Sequence, residues 1–231
     1  MDNPASILHP SFIDPTERDH VVVRGKDALS YLHSQIAQDV RALPVGEAAW
    51  TLVLEPNGKV DVLARVTRRA DDEFEFDTDA GFGAVLAERL RRFKIRVDAE
   101  VEQVDAAVAE PAPSNEDARI AAGWPRMGHE IVPGETIPAV TGVLGVAVNF
   151  TKGCYPGQEL VERMDSRGAE APSSLRVLAV GSDVPLGTAV GHPVVDPEGA
   201  TIGTITSVGT THALATIKRG HDLGALPAHL Q

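Results

Sequence analysis

The chain has a single cysteine, Cys154, among 231 residues. No internal disulfide can form, and the chain alone cannot supply the several thiolates of an ordinary zinc or iron–sulfur centre. Positive charge is also short: 21 Lys and Arg stand against 33 Asp and Glu, a formal net charge of −12. Such a surface repels phosphate backbones, so a nucleic-acid partner is not expected. Long apolar runs are missing too. The most apolar segment, Ala139 to Phe150, is too short and too glycine-rich to cross a bilayer, and "MDNPASILHP" lacks the basic and apolar regions of a secretory signal. The expectation is a soluble protein of a reducing cytoplasm, with no membrane partner. The eight histidines show no His-Glu-x-x-His spacing, so no built-in metal site is expected. Neither a Gly-x-x-x-x-Gly-Lys-Ser/Thr loop nor a Gly-x-Ser-x-Gly elbow occurs. "GFGAVL" at Gly81 is half a dinucleotide fingerprint in the wrong setting.

What is present reads as α+β. "DHVVVRG" is a strand, and from Asp27 to Val40 the residues Leu29, Leu32, Ile36 and Val40 fall at helical spacing behind a capping Asp27. Alternation on both sides of Pro56, Asn57 and Gly58 gives a hairpin between Trp50 and Val66. "DEFEFDT" is a further strand. Phe82, Leu86, Leu90 and Phe93 then mark a helix opened by Thr78 or Asp79, and Ile95 to Val101 a following strand. The basic run Glu88 to Arg96 reads as a solvated helix end, with an anion site as the alternative. Ala107 to Ala118 has the composition of an exposed connection, and from Pro172 onward short strands and turns suit a small β-barrel.

The only cysteine lies in "NFTKGCYPGQELVERM", residues 149 to 164. Pro156 suits the first turn of a helix carried on by "GQELVERM". Cys154 would then precede a helix amino terminus with Lys152 beside it, two influences that favour a thiolate. Gly153 and Gly157 leave room around the sulfur, and Glu159 and Arg163 have helix-supporting spacing. The bland reading stands beside this one: Cys154 packs as a small apolar residue and Lys152 points to water.

"KGCYPGQE" followed by Arg163 resembles the signature of the YgfZ-type folate-binding proteins, a family similar in fold to the glycine-cleavage T-protein, a tetrahydrofolate-dependent aminomethyltransferase. "GKDALSYLHSQIAQDV", "EPNGKVDVLARV", "AAGWPRMGHE" and "ATIGTITSVG" are similar to further parts of that family. The resemblance implies an α+β T-protein-like fold with mixed or antiparallel sheets. It also implies a folate-binding region over 1–171, with 51–106 as a ferredoxin-like subdomain, and a β-barrel over 172–231.

It further implies a reduced-folate ligand, tetrahydrofolate, and a role in the assembly, maintenance or repair of iron–sulfur clusters in client enzymes, with a transient cluster and client or assembly proteins as partners. The signature residues are Lys152, Gly153, Cys154, Tyr155, Gly157, Gln158, Glu159 and Arg163. Cys154 is implied as nucleophile or single cluster ligand and Lys152 as its activator. Folate contacts fall to Gln35, Asp39, Asp61, Trp124 and Arg126. The chain departs from the pattern in three places. Ala37 replaces a threonine. "KVDV" after Gly58 leaves Asp61 as the one acid where T-proteins carry two adjacent ones. Arg18 and the acidic linker occupy the neighbourhoods of two tryptophans, leaving Trp50 or Trp124 to substitute. A folate-dependent one-carbon transferase using Asp61 and a non-catalytic partner-binding module are the alternative functions.

Overall fold

A computed structural model of the chain describes residues 12–105, 115–166 and 171–227. Its first sheet is built from β1 (Arg18–Arg24), β2 (Ala48–Leu54), β3 (Val60–Arg68), β4 (Glu73–Asp79) and β5 (Glu100–Val104), with helices α1 (Ala28–His33) and α2 (Gly83–Arg92) between strands. The order is β2-β3-β4-β1-β5 and every pair is antiparallel. Because side chains alternate across a strand, the sheet has two buried faces. Val21, Val23, Val53, Val62, Val66, Phe74 and Phe76 pack under α1 and α2, against Leu32, Leu86 and Leu90. Trp50, Leu52, Leu54 and Leu63 face the other way, onto Trp124, Met127, Ile131, Val143, Tyr155 and Val161. The expected 51–106 unit does not close on itself: β1 lies between β4 and β5, so β5 would have no partner without it.

Three local expectations need correction. The first helix stops at His33 rather than reaching Val40. Beyond it the backbone pairs elsewhere: Ala37 N–H donates to Leu52 O and Gln38 N–H to Thr51 Oγ1, covering the free edge of β2. Thr78 and Asp79 belong to β4 and cap nothing at α2. Asp19, on the neighbouring strand, accepts from the N–H groups of Gly81 and Gly83 instead. The last strand of the sheet begins at Glu100, since Arg96 has a left-handed φ of 55° and Ile95 is exposed.

Next come α3 (Glu116–Ala122), the short α4 (Leu144–Ala147) and α5 (Gln158–Ser166). The expected connection over 107–118 lies partly outside the described residues, and its last three positions are the first turn of α3, capped by Asn115. A second antiparallel sheet, β6 (Ser173–Ala179), β7 (Pro193–Val195), β8 (Thr201–Val208) and β9 (His212–Lys218), has the order β6-β9-β8-β7. Among the described residues no ladder joins β6 to β7, so the second unit is an open sheet here rather than the closed barrel expected. Ile120 of α3 packs on Leu175, Val177 and Leu214 of this sheet. Beside that contact, the buried Arg119 donates to Glu130 and Ser207, and the Ser207 hydroxyl donates to Glu130.

One contact positions the end of the molecule that matters below. The hairpin turn between β2 and β3 meets the turn ahead of α5 at two glycines. A methyl group on Gly157 would lie 2.5 Å from Glu55 O, and one on Gly58 would lie 2.4 Å from Leu160 Cβ. Both residues also have positive φ, +82° and +86°. Residues Tyr155 to Gln158 form a type II turn, with proline second, glycine third and Gln158 N–H on Tyr155 O. Gly157→Ala is expected to lower the unfolding free energy by about 1–3 kcal/mol from the left-handed backbone alone, with the contact to Glu55 O adding to that loss. Urea unfolding checks it, and an unchanged midpoint would refute the close packing.

Candidate functional site

Asp61 owes its position to an irregularity in the hairpin. Leu54 pairs with Val60 while Val53 pairs with Val62, so Asp61 is the extra residue of a β-bulge. A bulge turns its side chain away from the regular alternation, and here it turns a carboxylate into the interior, 5% exposed. Arg89 reaches it from α2, Nε lying 3.6 Å from Asp61 Oδ2. The same guanidinium donates to Leu54 O from Nε and Nη2, at 3.0 and 2.7 Å, and from Nη1 to Gln35 Oε1 at 3.5 Å. Arg92 pairs with Glu55 at 3.2 Å. Burial, then the charge and hydrogen bond of Glu55, push the Asp61 carboxyl up to about 6, against the opposing pull of Arg89 and Arg92. Desolvation wins because the guanidinium is largely spent on the Leu54 carbonyl.

The basic run is in the main the solvated helix end expected, with Arg91, Arg92, Lys94 and Arg96 exposed, and Arg89 is its buried member. Arg89 is 3% exposed, Arg91 donates to Val101 O and Lys94 to Ala99 O.

The cysteine motif folds differently from its expected form. The helix begins at Gln158, and the type II turn separates it from Cys154, so the thiol does not sit on the amino-terminal dipole. Cys154 is exposed, which removes the reading of it as core. Lys152 is the buried member, 9% exposed. Its ammonium donates to His33 O and Ile36 O at 2.5 and 2.6 Å and lies 4.8 Å from the Tyr155 ring centre. Lys152 thus ties the motif to the chain leaving α1, where it had been expected either to activate the thiol or to point to water. Burial lowers its pKa to about 8, with Arg41 acting in the same direction and Asp39 opposing.

The same tie brings in His33. Its Nδ1 lies 3.2 Å from Asp39 Oδ1, but out of line for a hydrogen bond; that oxygen accepts instead from the N–H groups of Arg41 and Ala42. Burial first, then Lys152 and Arg41, lower the imidazole pKa, and Asp39 opposes them. Its Nε2 faces Gly153, 3.9 Å from where a Cβ would lie.

Three segments therefore meet: 33–39, 54–61 and 152–158, backed by Arg89. Among the expected site residues, Gln35, Asp39, Asp61, Lys152, Gly153, Cys154, Tyr155, Gly157 and Gln158 come to this end. Glu159 and Arg163 lie exposed on α5, where the contact that forms is Gln158 to Glu162. Trp124 and Arg126 do not join. Trp124 packs on Trp50 with ring centres 4.8 Å apart, and Trp50 is five residues along β2 from Glu55, about 17 Å at 3.4 Å per residue. Arg126 lies beside Glu116 and His129. Both tryptophans are buried, at 1% and 5% exposure, and Trp124 and Arg126 line a separate small cavity with Arg18, Asp79 and Glu116. Arg18 also lies in that region, paired with Asp77 and Asp79 against Trp50.

The sequence reading missed Glu55, Arg89 and His33. Arg89 had a visible signal, since it falls three residues after Leu86 on the apolar face of α2. Among the described residues no group of three or more His, Cys, Asp or Glu could hold a metal ion, and no helix is long and apolar enough to cross a membrane.

No family model matches the chain. It is 26% identical over 196 residues to an uncharacterized protein of Haemophilus influenzae, a match covering 68% of this chain and 70% of that protein. Among solved structures it is similar to glycine cleavage system aminomethyltransferase T from Bartonella henselae. The TM-score is 0.76, over 89% of this chain and 77% of that one, at 15% identity. The chain therefore has a T-protein-like fold.

The two displaced pKa values give stability opposite slopes with pH. For Asp61, 3.8 rising to about 6 means that the folded state holds more protons in that window, so its contribution to stability falls as pH rises from about 4 to 6. For Lys152, 10.5 falling to about 8 means that the unfolded state holds more protons above pH 8, so its contribution rises from about pH 8 to 10. Urea unfolding across pH should show Asp61→Asn removing a falling segment and Lys152→Met removing a rising one. Parallel profiles for variant and parent would refute the corresponding burial.

Proposed function

We propose that the chain binds a reduced folate at the hairpin end and acts, through Cys154, in the assembly, maintenance or repair of iron–sulfur clusters in client enzymes. The observation that carries this reading is the contact between two turns, which brings the segment bearing the exposed Cys154 to the hairpin that bears the buried, protonatable Asp61. On this reading 1–171 forms the folate-binding part and 172–231 an appended unit, as the resemblance to the YgfZ-type proteins implies. The protein of similar fold is named as an aminomethyltransferase of the glycine cleavage system, and tetrahydrofolate is the cofactor that resemblance brings.

The residues present suit a pterin in their donor set. Its pyrimidinone edge offers N–H donors and a carbonyl acceptor, and a carboxylate can take two N–H groups at once. Asp61 would hold that edge, with Gln35 and Arg89 as the neighbouring amide and guanidinium. Bound tetrahydrofolate supplies a one-carbon carrier. Stacking by Trp50 or Trp124 forms no part of the proposal, because both belong to the core.

At the thiol, nucleophilic chemistry fits better than ligation. Stable cluster binding wants several sulfurs, and Cys154 is alone in this chain. The cluster is cargo belonging to the client, and the thiol is what meets it. A one-carbon transferase is the second reading, favoured by Asp61 at about 6, a value suited to proton transfer near neutrality. Glu55 then supplies the second carboxyl that "KVDV" lacks. A partner-binding module without chemistry is the third.

Calorimetric titration with tetrahydrofolate should show binding to the parent protein and to Cys154→Ala, and at least about ten-fold weaker binding, about 1.4 kcal/mol, to Asp61→Ala. In a strain lacking the gene, Cys154→Ala should fail to restore the activity of cluster-dependent enzymes. Absence of binding by the parent removes the folate reading, and full restoration by Cys154→Ala removes the thiol. Formation of methylene-tetrahydrofolate from an aminomethyl donor would favour the transferase.

A further inference from the structure

Gly153 differs from Gly58 and Gly157. It is not among the glycines with positive φ, and the single atom within 4 Å of an added methyl group would be His33 Nε2, at the ordinary contact distance of 3.9 Å. Neither backbone conformation nor crowding requires a glycine here. What the missing side chain leaves is open space over one nitrogen of an imidazole. That imidazole is 9% exposed, and its other nitrogen is the buried side-chain atom left without a hydrogen-bond partner among the described residues. The next residue along the chain is the exposed Cys154, whose Cα follows that of Gly153 by about 3.8 Å. A rotation about the Cα–Cβ bond of an exposed side chain meets little resistance, so the sulfur is not held in one direction.

We propose that His33 is the proton acceptor of the Cys154 thiol, with Asp39 as the nearby counter-charge and Gly153 keeping the approach open. This deepens the reading of Cys154 as a working thiol and rests on it. The proton passes from Sγ to Nε2, and the electron pair of the S–H bond stays on sulfur and forms the new bond to an electrophile, whose leaving group departs with its own pair. The resulting imidazolium has the Asp39 carboxylate 3.2 Å from Nδ1 to balance it. The charged groups acting on the ring are Lys152, Arg41 and Asp39. With burial, the two cations hold the resting imidazole neutral in the neutral pH range, which leaves Nε2 its lone pair. Lys152 contributes by position, because its bonds to His33 O and Ile36 O fix the histidine against the motif. The ligand class is a soft electrophile, such as the sulfur of a persulfide or disulfide, attacked by the thiolate that the proton transfer produces.

Alkylation of the full chain with iodoacetamide, followed by mass spectrometry across pH 5 to 9, tests this. The S–C bond forms, iodide leaves and Nε2 takes the proton. Parent protein is expected to react faster than a free model thiol at pH 7, with a rise in rate that follows deprotonation of an imidazole. His33→Gln should react roughly ten-fold more slowly and lose that limb of the profile, short of the hundred-fold that a fully developed general base contributes. Gly153→Ala, which neither strains the backbone nor clashes, should slow the reaction with unchanged thermal stability. A His33→Gln protein that keeps the parental rate and profile overturns the pairing. If that variant fails to fold, a parental rate in Gly153→Ala does so. A parent thiol no faster than the free one overturns the working-thiol reading itself.

Discussion

Contact between two glycines, one at the tip of a hairpin and one in a proline-glycine turn, sets the arrangement of this end of the molecule. Gly157 lies against Glu55 O and Gly58 Cα, so any side chain at either turn would push the segments apart. The hairpin carries Asp61 and Glu55, and the segment leading into the turn carries Lys152 and Cys154. Lys152 then brings in the chain leaving α1 through two carbonyl oxygens. Steric fit at two positions thus decides the mutual placement of residues more than ninety positions apart in sequence.

Around that contact the protein buries charge and satisfies it with backbone. Arg89 gives two of its N–H groups to Leu54 O, and Lys152 gives two of its three to carbonyls of the chain after α1. Buried cations held by carbonyls lack a full counter-charge, and their cost must be met by packing elsewhere. The neighbouring sheet face supplies it, with Phe74, Phe76, Leu86 and Leu90 fully enclosed. Electrostatic stress is concentrated at the loop end and hydrophobic burial in the sheet behind it.

The strands were legible because their period is two and their turns are marked. β1, the β2–β3 hairpin and β4 appear where alternation places them. What escaped depends on partners distant in sequence. The helix after Asp27 stops early because Ala37 and Gln38 find bonds on the β2 edge, which no local pattern announces. The cap of α2 comes from Asp19, on another strand. In the motif, glycine, proline and lysine suggested a thiol on a helix dipole. The positive φ of Gly157 moved the helix start past it, and Lys152 turned inward. The resemblance pointed to Lys152, Cys154 and Asp61, and the groups that face Lys152 and Asp61, His33 and Arg89 above all, lie far away in sequence. Trp124 and Arg126 show the reverse: similar residues in sequence, placed at a different end of the sheet.

The ionic triangle of Arg119, Glu130 and Ser207 acts between the two sheets in a different way from the apolar contact beside it. Ile120 against Leu175, Val177 and Leu214 is an apolar contact whose attraction has no preferred direction. A guanidinium fork shared between a carboxylate and a hydroxyl has one acceptable bearing. It works as an indexing pin, and it converts adhesion between the layers into alignment. The second sheet is thereby referenced to the helix and loop that continue toward Trp124, so a shift in either layer is felt by the other as a change of angle.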